Sequence, residues 1–157
     1  MMSLLKGWRR ATRAVAAVEF ALSCPILFLG MGVVTDYGLL NLGRIKLAQA
    51  VAQGGAQAQL LGTAATPAAI QSFVQTASGL SNVSATATAP ACYCITGTPT
   101  ARQLTSVTPC GSLCPDGVSV STYYMTVSAT YAYQPVMPAF SNLAGATAVS
   151  SVTVQLQ

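Results

Sequence analysis

The sequence predicts an α+β protein with a long N-terminal transmembrane helix, a short second helix and a small antiparallel sheet with a disulfide-pinned loop. An apolar run of about 20 residues follows a basic leader, which is the length that crosses a bilayer as a helix. The C-terminal half contains segments of alternating polarity and four clustered cysteines. We therefore divide the chain into a cytoplasmic leader (1–14), a transmembrane helix (15–38) and an extracytoplasmic domain (39–157).

The charge distribution predicts the orientation of this helix. Charged residues make up only 6% of the chain, against roughly 25% in soluble domains. The first 13 residues carry basic side chains equal to the whole net charge of +4, at Lys6, Arg9, Arg10 and Arg13. Basic residues beside a span keep their end in the cytoplasm. This interpretation is favoured over nucleic-acid binding, and no nucleic-acid partner is expected.

The apolar run extends from Val15 to Thr35 and contains one carboxylate, Glu19. A carboxylate inside a span is costly unless it finds a partner, so Glu19 is a functional-site hypothesis. The alternative is that Glu19 reaches the cytoplasmic interface near Arg13. Asp36 and Tyr37 mark the far interface.

Helical signals continue beyond the span. Residues 39–61 are rich in Ala, Leu and Gln, and Gly54-Gly55 weakens the pattern. Apolar residues recur there at three- and four-residue steps, which places them on one helical face: Leu42, Ile45, Ala48, Ala52, Ala56 and Leu60. Thr66-Pro67 predicts the start of a second helix over 67–78, closed by Gly79.

The remaining segments predict strands over 81–90, 118–133 and 146–156, with a loop over 91–117 between the first two. Three or four strands fit this pattern. The alternating tyrosines at 123, 124, 131 and 133 are more typical of cross-strand packing than of a binding face.

Four cysteines, Cys92, Cys94, Cys110 and Cys114, lie within the predicted loop. On the oxidising side of a membrane they predict two disulfides. Cys92–Cys110 with Cys94–Cys114 and Cys92–Cys114 with Cys94–Cys110 are the favoured pairings, and Cys110–Cys114 stays open. Zinc binding is the weaker alternative, because the spacing is unusual for a zinc site.

The composition argues against catalysis. The chain has no His, and Asp116 is the one acidic residue after Asp36. Acid–base and nucleophilic groups cannot be assembled from this set. We expect no enzyme activity, no catalytic residues, no cofactor and no metal.

The segment from Arg13 to Leu27, R-A-V-A-A-V-E-F-A-L-x-x-P-I-L, resembles the TadE-like family, the minor pilins or pseudopilins of tight-adherence pilus systems. The Ala/Gln-rich helix over 44–59 and the pattern Y-x-Y-x-P-x-x-P within 126–138 also resemble this family. The resemblance implies a pilin-like N-terminal helix in the bacterial inner membrane. Its domain would lie in the periplasm or outside the cell.

The resemblance also implies site residues and partners. A prepilin peptidase would cut between Ala14 and Val15, where this chain has Ala in place of the usual Gly. Glu19, followed by Phe20, would then pair with the new Val15 amine of a neighbouring pilin-like subunit. The implied partners are the membrane, that peptidase, other pilin-like subunits and the Tad inner-membrane machinery. The alternative is an uncut single-pass envelope anchor that serves as a scaffold or binding module of a secretion system.

Overall fold

The computed structural model describes residues 2–98, 101–137, 141–142 and 146–157. It describes side chains for residues 15, 17–97, 103–137, 141–142 and 146–157. Within these ranges the architecture is the predicted one: a long apolar helix, a short helix and an antiparallel sheet with two disulfides.

The first helix, α1 (Met2–Leu61), continues without interruption through Pro25 and through the glycine pair at 54–55. A single 3₁₀ turn (Gly62–Ala64) follows, and α2 (Pro67–Ser78) comes next. Proline at the first helical position has the φ angle that a helix start needs. Thr66 has the extended backbone of an N-cap, although its side chain makes no capping hydrogen bond. Gly79 ends α2 with a left-handed φ of 58°.

The described strands are β1 (Val83–Ala87), β2 (Ala91–Thr98), β3 (Ala101–Ser106), β4 (Thr122–Ala132) and β5 (Thr147–Gln155). All of their pairings are antiparallel. β4 is central: β5 pairs along one side of it, while β1 and then β2 pair along the other. β3 pairs with β2 only. The three predicted strands are confirmed as β1, β4 and β5.

The prediction of a loop over 91–117 is wrong for its first part, which forms the β2–β3 hairpin. Cys92 and Cys94 are the buried side chains of β2, and both are joined by disulfides to the segment that follows the hairpin. Residues 107–121, which follow β3, form a ribbon closed by a bridge between Leu113 and Val120.

The core lies between the two helices and one face of the sheet. β4 turns alternate side chains toward the helices, and these are almost fully buried: Met125, Val127 and Ala129. They pack against buried residues of both helices, including Leu47, Val51, Ile70 and Val74. This packing fixes the C-terminal half of α1 within the domain.

The domain packs on one side of α1 and leaves the opposite side exposed. The buried side contains Leu40, Leu47, Ala50, Val51 and Ala58. The apolar face identified in the sequence is a different one, because Leu42 is 55% exposed and Leu60 is 83% exposed. At 100° per residue the two faces lie roughly opposite each other.

Candidate functional site

The N-terminal half of α1 is apolar and exposed around most of its circumference. From Val15 to Val34 its large apolar side chains are exposed, and Phe20 is 69% exposed. Among the described residues, α1 is the one helix that is long and apolar enough to span a membrane. The chain therefore has the form of a single-pass membrane protein.

Glu19 lies within this exposed segment. Among the side chains that the structure describes, none forms a hydrogen bond or an ion pair with it. Val15 is also exposed, whereas the side chain of Ala14 lies outside the described set. The processing role of Ala14 and Val15 and the assembly role of Glu19 and Phe20 stay predictions.

The second carboxylate of α1, Asp36, is fully buried and has three hydrogen-bond donors. The Tyr133 hydroxyl donates to its Oδ1 at 2.7 Å, and the Val136 backbone N–H donates to the same oxygen at 2.8 Å. The Met137 N–H donates to Oδ2 at 3.3 Å. A buried carboxylate is tolerated when donors of this kind replace its water.

These contacts join the end of β4 to α1. Tyr133 follows β4 directly and is only 3% exposed. Its burial, together with the Asp36 carboxylate beside it, raises the pKa of the Tyr133 hydroxyl to about 12. The phenol therefore stays protonated and donates to Asp36 throughout the physiological pH range. Leu40 is buried one turn further along the helix, on the same side.

Sequence reasoning placed Asp36 at the membrane interface but missed these contacts. The Y-x-Y-x-P-x-x-P pattern was the available signal, because it supplies Tyr133 and the residues that follow it. The tyrosines themselves mainly pack, as predicted. Tyr124 is buried, and the Tyr93–Tyr124 and Tyr131–Tyr133 rings meet edge to face at 6.4 Å.

The four clustered cysteines form two disulfides, Cys92–Cys110 and Cys94–Cys114. This is one of the two pairings that the sequence favoured. Both bonds attach the 107–121 ribbon to β2, at the end of the sheet far from Asp36. Disulfide sulfurs do not provide the thiolates that a zinc site needs, so the pairing argues against the zinc alternative.

Comparison with known proteins gives one family match, which covers residues 14–56 and is described as TadE-like protein. This segment of the chain is TadE-like. The match confirms the predicted resemblance and covers less than a third of the chain. No curated protein and no solved structure matches significantly.

The TadE-like segment contains most of the features described above. It includes Ala14, Glu19 and Asp36, together with most of the helix face on which the domain packs. The sheet and the disulfide ribbon lie outside the match. The TadE-like family is associated with pili and is not an enzyme family.

Proposed function

We propose that this protein is a pilin-like minor subunit, or pseudopilin, that takes part in assembly of a Tad-type pilus. The observation that carries the proposal is Glu19, an exposed carboxylate in the apolar half of a TadE-like helix. A subunit that stayed alone in the bilayer would gain nothing from a charge at this position. A subunit that packs against others can use it.

The chemistry of that use follows from cleavage between Ala14 and Val15. The cut creates a positively charged amine at Val15, four residues before Glu19. Glu19 of one subunit then pairs with the Val15 amine of its neighbour. The pair orients the two helices because a misaligned charge in a low-dielectric environment has no partner. Its main effect is to set the axial register of the helices.

The second apolar face of α1 supports helix-to-helix assembly. Beyond the span, Leu42, Ile45 and Leu60 are each more than half exposed on the side opposite the domain. Small exposed alanines lie between them at 48, 52 and 56. Small residues let helices approach closely, so this face suits packing against a neighbouring helix.

A pilin-like subunit has a defined orientation and a defined set of partners. The basic leader holds the N-terminus in the cytoplasm of a bacterial cell, and the domain lies on the other side of the inner membrane. The partners are the prepilin peptidase, other pilin-like subunits and the Tad inner-membrane machinery. The role is not enzymatic, and the domain serves as structure and contact surface.

The test is the N-terminal mass of the protein recovered from its native membrane. Processing gives a mature chain that starts at Val15. Ala14→Gly should be cut at least as well, whereas Ala14→Leu should stay intact because the peptidase takes a small residue there. An intact leader in the wild-type protein, with export and pili unaffected, would refute the processed role.

The alternative is an uncut single-pass anchor that acts as a scaffold or binding module of a secretion system. Ala14 favours it, because the family usually has Gly at this position. In that case the span is an anchor and the domain carries the function. The same mass measurement separates the two, since the alternative requires a chain that keeps its leader.

A further inference from the structure

The contacts of Asp36 place part of the domain at the level of the membrane boundary. From Val15 to Asp36 the helix rises about 31 Å, close to the hydrocarbon thickness of about 30 Å. A span that begins at Val15 thus ends near Asp36. The Val136 and Met137 amides lie within 3.3 Å of the Asp36 carboxylate, so they lie at the same height.

The buried hydrogen bonds remove the one described charge from this level. Asp36 is fully enclosed and its carboxylate is met by the Tyr133 hydroxyl and two backbone amides. The next charged residues along α1, Arg44 and Lys46, have backbones about 12 Å and 15 Å further from the span. Lys46 lines a groove together with Val136, and its long side chain keeps the ammonium at the level of the polar headgroups. Lipid contact at this level therefore buries no exposed carboxylate.

Four side chains exposed at this level are apolar or amphipathic, and the exposed Gln134 beside them is polar but uncharged. Val136 is 68% exposed and Met137 is 37% exposed. On the helix, Tyr37 is 52% exposed and Leu39 is 39% exposed. We name these four residues the collar. Tyrosine is enriched at membrane interfaces because its ring is apolar and its hydroxyl is polar.

We propose that the collar is a lipid-binding surface, which contacts the interface of the extracytoplasmic leaflet and seats the domain against the bilayer. Its continuity with the exposed apolar surface of the span identifies the lipid as its occupant. Val33 and Val34, which directly precede this level, are exposed in the same way. Asp36 is a positioning residue here, since it holds the 133–137 segment down against α1. The collar has this role in a processed subunit and in an uncut anchor alike.

Tryptophan fluorescence of the full chain in phosphatidylcholine vesicles tests this surface. Trp8 is the single tryptophan, so the probes are placed in a Trp8→Phe background. Val136→Trp reports on the collar and Val34→Trp on the span. Val118→Trp is the matched control, because Val118 is an equally small exposed residue (86%) on the ribbon far from Asp36. The quencher is phosphatidylcholine brominated on its acyl chains.

We expect Val136→Trp and Val34→Trp to show blue-shifted emission in the vesicles. The brominated lipid should lower the fluorescence of both at least about twofold, whereas Val118→Trp should show neither effect. Emission and quenching like those of Val118→Trp would overturn the proposal. Blue-shifted emission without lipid quenching would also overturn it, since a protein neighbour would then cover the collar. If Val136→Trp fails to fold, Tyr37→Trp gives the same readout from the helix side.

Discussion

The contact between Gly54 of α1 and Val74 of α2 provides a test of how the domain is held on α1. Gly54 is buried where α2 crosses α1, and a Cβ built on it meets the Val74 side chain. Val127 and Ile70 lie at 3.6 and 3.8 Å from that Cβ and close the remaining sides. An alanine therefore cannot be accommodated unless α2 shifts. Val74 cannot simply rotate away, because β-branched side chains are stiff.

The expected effect is the difference between two opposing contributions. Replacing Gly by Ala in a helix ordinarily stabilises by up to about 1 kcal/mol. Overpacking a filled core costs about 1–3 kcal/mol. We expect Gly54→Ala to lower the free energy of unfolding by about 1 kcal/mol, which is a fall in Tm of about 3–5 °C for a domain of about 120 residues.

Gly38→Ala is the matched control on the same helix, because its Cβ would meet nothing within 4 Å. This variant should keep or raise the Tm. Both are measured by circular dichroism of the full chain in detergent micelles. Val74→Ala should rescue Gly54→Ala in a double-mutant cycle, since it removes the obstructing methyl groups. Equal stabilisation by both glycine variants, or no coupling with Val74, would refute this account of the helix contact.

Three further predictions concern Glu19, the disulfides and Tyr133. Glu19→Gln keeps the shape and removes the charge, so we expect normal insertion but loss of pilus formation by electron microscopy. Ser23→Ala, one turn along, should leave pili intact, and intact pili in both would exclude the Glu19 role. Replacing Cys92 and Cys110 together by Ala should lower the free energy of unfolding by about 3 kcal/mol. A non-reducing peptide map should join Cys92 to Cys110 and Cys94 to Cys114, and a map with the other pairing would contradict the structure. Because the pKa of Tyr133 is raised from 10.0 to about 12, its contribution to stability is complete below pH 10 and is lost as the pH rises towards 12. Tyr133→Phe should flatten this alkaline fall in Tm, while Tyr123→Phe should not, and equal profiles for the two would count against the buried hydroxyl.

The elements of the fold that carry strong local patterns could be predicted from the sequence. The apolar run, the Thr66-Pro67 start of α2 and the alternation of β4 each have a local physical cause. β2 and β3 lacked such a signal, because the buried residues of β2 are cysteines and β3 is largely polar. The buried side of α1 was equally hidden. Helix α1 has two apolar faces. The glycines at 43, 54 and 55 lie on the face that packs against the domain, but this is evident only once the opposing strands and helix are known.

The contacts of Asp36 could not be predicted for a different reason. Its partners, Tyr133 and Val136, lie about 100 residues further along the chain, and no periodicity connects such distant positions. A lone aspartate after an apolar run is typical of an exposed interface residue. Only the path of β4 back toward the membrane end of α1 shows that this aspartate is buried.

The two carboxylates of α1 have different surroundings. Glu19 and Asp36 lie about 26 Å apart along one helix, near the two ends of the predicted span. The fold satisfies Asp36 internally with three donors. Within the part of the chain whose side chains are described, it supplies no donor to Glu19. Glu19 is exposed, and in the proposed role its partner is the Val15 amine of a neighbouring subunit.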